Sequence, residues 1–323
     1  MKHQTLSQKL DQIERKVKNK VYKCIYEDCN EIAIKSHVLQ KNGILNSISY
    51  NNHLYQVIGN SPFEEQTKGK FQFQKIGINN IYTFPGFCKN HDASIFSSIE
   101  NTKKMDLKSE KNLCLFAYRS LCQEIRRKEM AFDIASGYLD ISTGIKSVVF
   151  LSNYKKGILN SLNNLLFFKK EFENELKNNK NRFIYKVCEI NRLEICISSP
   201  INIIDSENSL SRTNLNGERI NPFTTSIINI FPYKDKSYVL IAFHADYICK
   251  WSEILFEKII NSDDAQIKKI ISDLISTRIE FWCISPELYN TLDEKKKKEL
   301  FTIWEKEAFN HSWNIENTFN LFQ

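Results

Sequence analysis

A chain of 323 residues, 42% apolar and 12% aromatic, can bury a sizeable core; this excludes a disordered protein and fits two domains, or one domain carrying a metal module. The net charge of +7, from 45 basic against 38 acidic residues, permits an anionic partner without amounting to a polybasic tail. No stretch approaches the roughly 18 apolar residues of a membrane span, the N-terminus lacks an export signal and nine cysteines are an odd number, so a cytoplasmic protein with reduced thiols and no membrane partner is expected.

In chain order, Leu6, Leu10, Ile13 and Val17 form one apolar stripe on a helix over 5–19 that docks on the adjoining segment of its own domain or seeds a dimer seam. Val21-Tyr22-Lys23 reads as a short strand leading into Cys24-Ile-Tyr-Glu-Asp-Cys29, a C-x4-C clip with turn residues inside it. Ile32-Ala33-Ile34 and Ser36-His37 follow the first clip. Strands are also expected at His53–Val57 and at 71–78, where apolar residues alternate with Gln and Lys. The breaker pair Pro85-Gly86 precedes a second clip, Cys88-Lys-Asn-His91, on a helix carrying Ile95, Phe96 and Ile99, with Asn90 and Asp92 as candidate caps.

Two long helices come next, at about 107–134 and 155–177, and form an antiparallel hairpin through the Gly137–Gly144 region. Arg119, Arg126, Arg127 and Lys128 make a basic strip on the first, read as a solvated face. Residues 183–190 and 193–197 are expected to pair as a hairpin about Asn191-Arg192, and 224–231 with 237–243 through Pro232–Lys236; a polar loop, 205–221, joins the pairs. Helices return at 247–260, 265–277 and 293–309. The fold class is therefore α+β, divided into an N-terminal helix with a zinc module (1–105), a helical hairpin region (106–180) and an antiparallel sheet with C-terminal helices (181–323).

Chemistry concentrates in the two clips. Ligands in pairs from tight turns reach a tetrahedral ion together, so Cys24, Cys29, Cys88 and His91 are expected to hold a structural Zn2+. A knuckle pair followed by a helix-borne pair is the order of a treble-clef finger. With Ser36-His37 between the clips, residues 21–100 resemble the zinc-containing HNH endonucleases. The resemblance implies that His37 is the general base, that Asp92 helps hold a catalytic Mg2+ or Mn2+, that DNA or RNA is the substrate, and that a role in bacterial defence would suit such an activity. The chain departs from that family at Ser36, where an acidic residue or a second histidine is usual, and a hydroxyl is a poor ligand for a hard cation.

His53 could face the same groove as His37 but is better read as structural, as is the His244/Asp246 pair, which has no third partner at identifiable spacing. No dinucleotide, Walker, nucleophile-elbow or H-E-x-x-H motif is present. Two functions remain: an HNH-like metal-dependent nuclease, or a non-catalytic zinc-stabilised binding or sensing protein that recognises nucleic acid, a protein partner or its own copy.

Overall fold

The computed structural model describes residues 4–60, 64–65, 69–101, 105–178, 180–202, 222–307, 310 and 312–323. The expected polar loop at 205–221 lies outside them. Helix α1 (Leu6–Lys18) starts at a capping box, in which Thr5 and Gln8 satisfy each other's backbone N–H groups. Strand β1 (Lys35–His37) is followed by a wide helical turn at Lys41–Leu45 and a tight one at Asn46–Ile48. Next come β2 (His53–Gly59), β3 (Phe71–Gly77), β4 (Thr83–Pro85), and the short helices α2 (Lys89–Ile95) and α3 (Ser97–Glu100). The helical hairpin is α4 (Glu110–Asp140) and α5 (Ile145–Asn178). Strands β5 (Phe183–Asn191), β6 (Ile195–Asn202), β7 (Thr225–Tyr233) and β8 (Lys236–His244) precede α6 (Lys250–Ile260) and α7 (Asp264–Thr277). The chain closes with β9 (Trp282–Ile284), α8 (Pro286–Asn290) and α9 (Glu294–Glu307).

The architecture is the expected mixture of helices and antiparallel sheet. One sheet of seven strands runs in the order β3-β2-β9-β6-β7-β8-β5, and β1 with β4 forms a separate antiparallel pair. Because β2 pairs with β9 and β9 with β6, residues before 105 and after 181 share one sheet. Successive side chains on a strand face opposite ways, and here both faces are covered. Ile227, Phe231, Leu240 and Ala242 pack with α4, α5 and residues between 24 and 99, while Ile228, Ile230, Val239, Ile241 and Phe243 pack under α6, α7 and α9.

Two readings of the sequence are corrected. Residues 183–190 and 193–197 do not pair as a hairpin: β5 pairs with β8 at the far edge, and β6 lies between β9 and β7. The segment after Asn191 instead uses Arg192 to donate to the carbonyls of Lys234 and Ser47, which carries the chain out of the β5 register. The basic strip is not a solvated face either. Arg119 and Arg126 are buried, and Arg127 pairs with Glu124 and Glu280. The β7–β8 hairpin forms as expected, with Lys234 in the left-handed region at its turn.

Two glycines of the hairpin predict opposite outcomes. A Cβ added at Gly157, in mid-α5, meets no atom within 4 Å, whereas one at Gly137 of α4 meets Ile13 Cγ2 of α1 at 2.6 Å. Gly157→Ala is expected to raise stability by about 1 kcal/mol through reduced backbone entropy of the unfolded chain. Gly137→Ala is expected to lower it by roughly 1–3 kcal/mol, because Ile13 must withdraw. Thermal melts of the two variants check this, and shifts of the same sign would refute the assigned packing.

Candidate metal centre

The first clip is a knuckle held at both ends by backbone. Cys24 N–H donates to Glu31 O at 2.8 Å, Cys29 N–H to Tyr26 O at 3.2 Å, and Lys23 bridges Ile32 across the turn. Asp28 takes φ 56° inside the turn, a left-handed conformation that Asp tolerates better than most residues. Ile25 N–H donates to Gly86 O and Ile34 N–H to Phe87 O, laying the knuckle beside the chain that carries the second clip. Cys88 is the N-cap of α2, its sulfur accepting from His91 N–H at 3.5 Å. The cap is therefore Cys88; Asn90 and Asp92 lie inside the helix, one turn of which brings His91 back over Cys88.

These elements gather Cys24, Cys29, Cys88 and His91, whose candidate ligand atoms all lie within 4.8 Å of one another. Cys29 Sγ is 3.9 Å from Cys88 Sγ, and His91 Nδ1 is 3.5 Å from Cys24 Sγ and 3.4 Å from Cys88 Sγ. A tetrahedral zinc with ordinary bond lengths requires sulfur–sulfur edges of about 3.8 Å and sulfur–nitrogen edges of about 3.6 Å. Three cysteines and one histidine therefore fit a closed zinc site in both donor type and spacing. Burial pushes the Cys24 thiol up to about 11. At Cys88 burial also acts upward, but hydrogen bonds, that from His91 N–H foremost, outweigh it and leave the thiol below its ordinary range.

The centre is fastened to the helical hairpin. Arg126 of α4 donates to Lys23 O at 2.6 Å and Pro85 O at 2.8 Å and lies over the Tyr22 ring, so one guanidinium spans the approaches to both clips. From α5, Glu173 accepts from Glu27 N–H and Lys177 pairs with Glu27.

His37 and Asp92 are not among the four clustered side chains, although Asp92 follows His91 and donates its backbone N–H to Cys88 O at 2.9 Å. His37, on β1, donates Nε2–H to Ile78 O at 2.8 Å, which leaves Nδ1 with a free lone pair. Burial lowers its pKa below the ordinary 6.5, with the Ile78 hydrogen bond only partly opposing. Asp92, on α2, has its side chain 24% exposed and one carboxylate oxygen 3.5 Å from Arg119. Ser36 is turned inward and accepts from Phe87 N–H at 3.2 Å. His53 Nδ1 meets Asn51 O, and His244 accepts from Asp246 N–H while its Nε2 contacts Glu171, so each is engaged locally.

Arg119, expected on a solvated face, is instead a buried neighbour of Asp92. Its side chain is 1% exposed, forks between Asp92 and Glu100, and lies 4.1 Å over the Phe96 ring. Gln40, also buried, donates to Glu100 O, and the charges of both Glu100 and Arg119 reach His37. A signal existed: Arg119 is the only charge between Leu113 and Gln123, in an otherwise apolar and small-polar helical run. No family model, no curated protein and no solved structure matches this chain.

Proposed function

We propose that residues 21–100 form a treble-clef module of the HNH kind, that Zn2+ at Cys24, Cys29, Cys88 and His91 fixes its scaffold, and that the chain hydrolyses nucleic-acid phosphodiesters with His37 as general base. The observation that carries this reading is the state of His37. Its Nε2–H is committed to the Ile78 carbonyl and its imidazole is held neutral, so Nδ1 is free to take a proton from water at neutral pH. Asp92 fits a ligand of Mg2+ or Mn2+: its carboxylate is partly open to solvent and steadied from behind by Arg119, as ligating carboxylates commonly are. Ser36 does not fit, since its hydroxyl is buried and accepts from Phe87. Bound there, the cation would offset negative charge building on the phosphate.

Plasmid DNA and RNA cleavage in Mg2+ and Mn2+ is the test. His37→Ala is expected to lower the rate by about 10²–10⁴-fold while leaving zinc content and melting temperature unchanged. Because the His37 pKa is lowered, the base stays unprotonated into mild acid, and the acid limb of the pH–rate profile is expected below 6.5. Cleavage by His37→Ala equal to wild type would end the assignment.

A second reading, a non-catalytic zinc-stabilised protein that binds nucleic acid or a protein partner, is favoured by the contacts of Arg119. That cation already balances Asp92 and Glu100, and Ser36 is spent inside the fold. Zinc without cleavage under any of these conditions would select it.

A further inference from the structure

Helix α5 carries a second repeat besides the one that packs it on α4. Ile145, Val149, Ser152, Lys156, Leu159, Asn163, Leu166 and Lys170 follow one another at alternating steps of four and three, and every one of them is exposed. The aliphatic members range from Ile145 at 83% exposed to Leu166 at 45%. The opposite face of the same helix, with Ile158, Leu162, Leu165 and Phe168, is buried in the core. Four of these eight positions are aliphatic and four are polar, so a second helix laid along the row would find apolar seats at Ile145, Val149, Leu159 and Leu166 with polar groups between them. Phe150 and Tyr154 of the same helix are exposed as well and stack on each other beside this row, so the aliphatic members belong to a wider exposed apolar face.

Charge decides what this face fits. From Ile141 to Lys170 there is no Asp or Glu, while Lys146, Lys155, Lys156, Lys169 and Lys170 are all basic. Lys169 is paired with Glu173 and Lys155 lies over the Phe132 ring. Among the described residues, Lys146, Lys156 and Lys170 take part in no ion pair. A second copy laid along this face would oppose lysines to lysines with no acid to relieve them, and like-charge juxtaposition disfavours such pairing. Phosphates would suit the lysines but leave the aliphatic row uncovered.

We infer that the outer face of α5 is a docking site for an amphipathic helix of an acidic protein partner, with aliphatic residues seated between Ile145, Val149, Leu159 and Leu166 and carboxylates paired with Lys156 and Lys170. The site does not depend on the role of His37. It gives the arm formed by α4 and α5 a recognition task separate from the metal module.

Two fluorescent coiled-coil peptides about four heptads long, with Leu at the seam and either Glu or Lys at the flanking positions, serve as probes in an anisotropy titration. The Glu peptide is expected to bind the full chain and the Lys peptide to fail, with binding weakened by salt. Val149→Glu with Leu159→Glu is expected to weaken binding at least about tenfold while helicity by circular dichroism and zinc content stay at wild-type values. Equal binding of both peptides, or insensitivity to the double substitution, would overturn the inference. So would a concentration-dependent dimer that the substitutions abolish, which would assign the face to a second copy, or a preference for oligothymidylate over the Glu peptide, which would assign it to nucleic acid.

Discussion

Replacing Cys88 by alanine is expected to remove bound zinc and to destabilise the protein by at least about 4 kcal/mol, the scale on which loss of a structural metal stands out from ordinary substitutions. Cys88 is the N-cap of α2 and a candidate metal ligand, so its loss would free His91 from the cluster and leave the first turn of the helix without its acceptor. The damage would spread, because Arg126, Glu173 and Lys177 fasten the hairpin to backbone and side chains whose positions the clips set. Metal analysis by mass spectrometry, with urea unfolding with and without a chelator, reads both effects. Cys88→Ser separates them: it restores a capping oxygen but is a weaker zinc donor, so it should recover part of the stability and little of the metal. Zinc affinity should also rise with pH, about tenfold per unit for each thiol that must lose a proton, with Cys24, held up to about 11 without metal, the most demanding. Zinc content and unfolding midpoint unchanged in Cys88→Ala would show that these four side chains are not a site.

The second large effect is expected at Arg119. Arg119→Met keeps much of the side-chain volume but leaves Asp92 and Glu100 without their shared cation, and the cost should be about 3 kcal/mol, the low end for breaking a buried pair, since both carboxylates retain some access to water. Arg119→Lys should recover less than half, because an ammonium cannot fork to two carboxylates or lie flat on Phe96. The double variant Arg119→Met with Glu100→Gln should be less destabilised than the sum of its parts, as required of groups in one network. An independent readout is His37: removing a positive charge that lowers its pKa, while leaving Glu100, should move its titration upward in an NMR experiment. A stability change under about 0.5 kcal/mol in Arg119→Met would mean that the fork carries no weight.

The parts legible in the sequence were those whose cause is local. Paired ligands at short spacing marked the metal cluster; 3.6-residue periodicity marked the two long helices, although α5 begins ten residues before the periodic run suggested. What misled was pairing between strands. Ile195–Asn202 and Thr225–Tyr233 are covered on both faces, so their residues do not alternate between core and water and say nothing about which strand lies alongside. The short link at Asn191-Arg192 suggested a hairpin, yet long-range packing sent β5 to the far edge. At three residues, β9 was too short to show a period. At the candidate site, the four ligands were visible as spacing, whereas the buried fork at Arg119 depends on which face of α4 meets α2 and α3, a relation made only by the tertiary fold.

The position of β9 bears on the order in which the molecule can be assembled. Strands β2 and β3 are made early, but among the described residues the pairing that ties them to the large sheet is with Cys283 and Ile284, more than two hundred residues later in synthesis. Until then the open side of β2 offers unpaired backbone groups, and contacts so distant along the chain form slowly. A ribosome-bound intermediate would therefore have a complete metal knuckle beside an unfinished sheet edge, and the three residues Trp282–Ile284 would act as the clasp that joins the first-made part of the protein to the last.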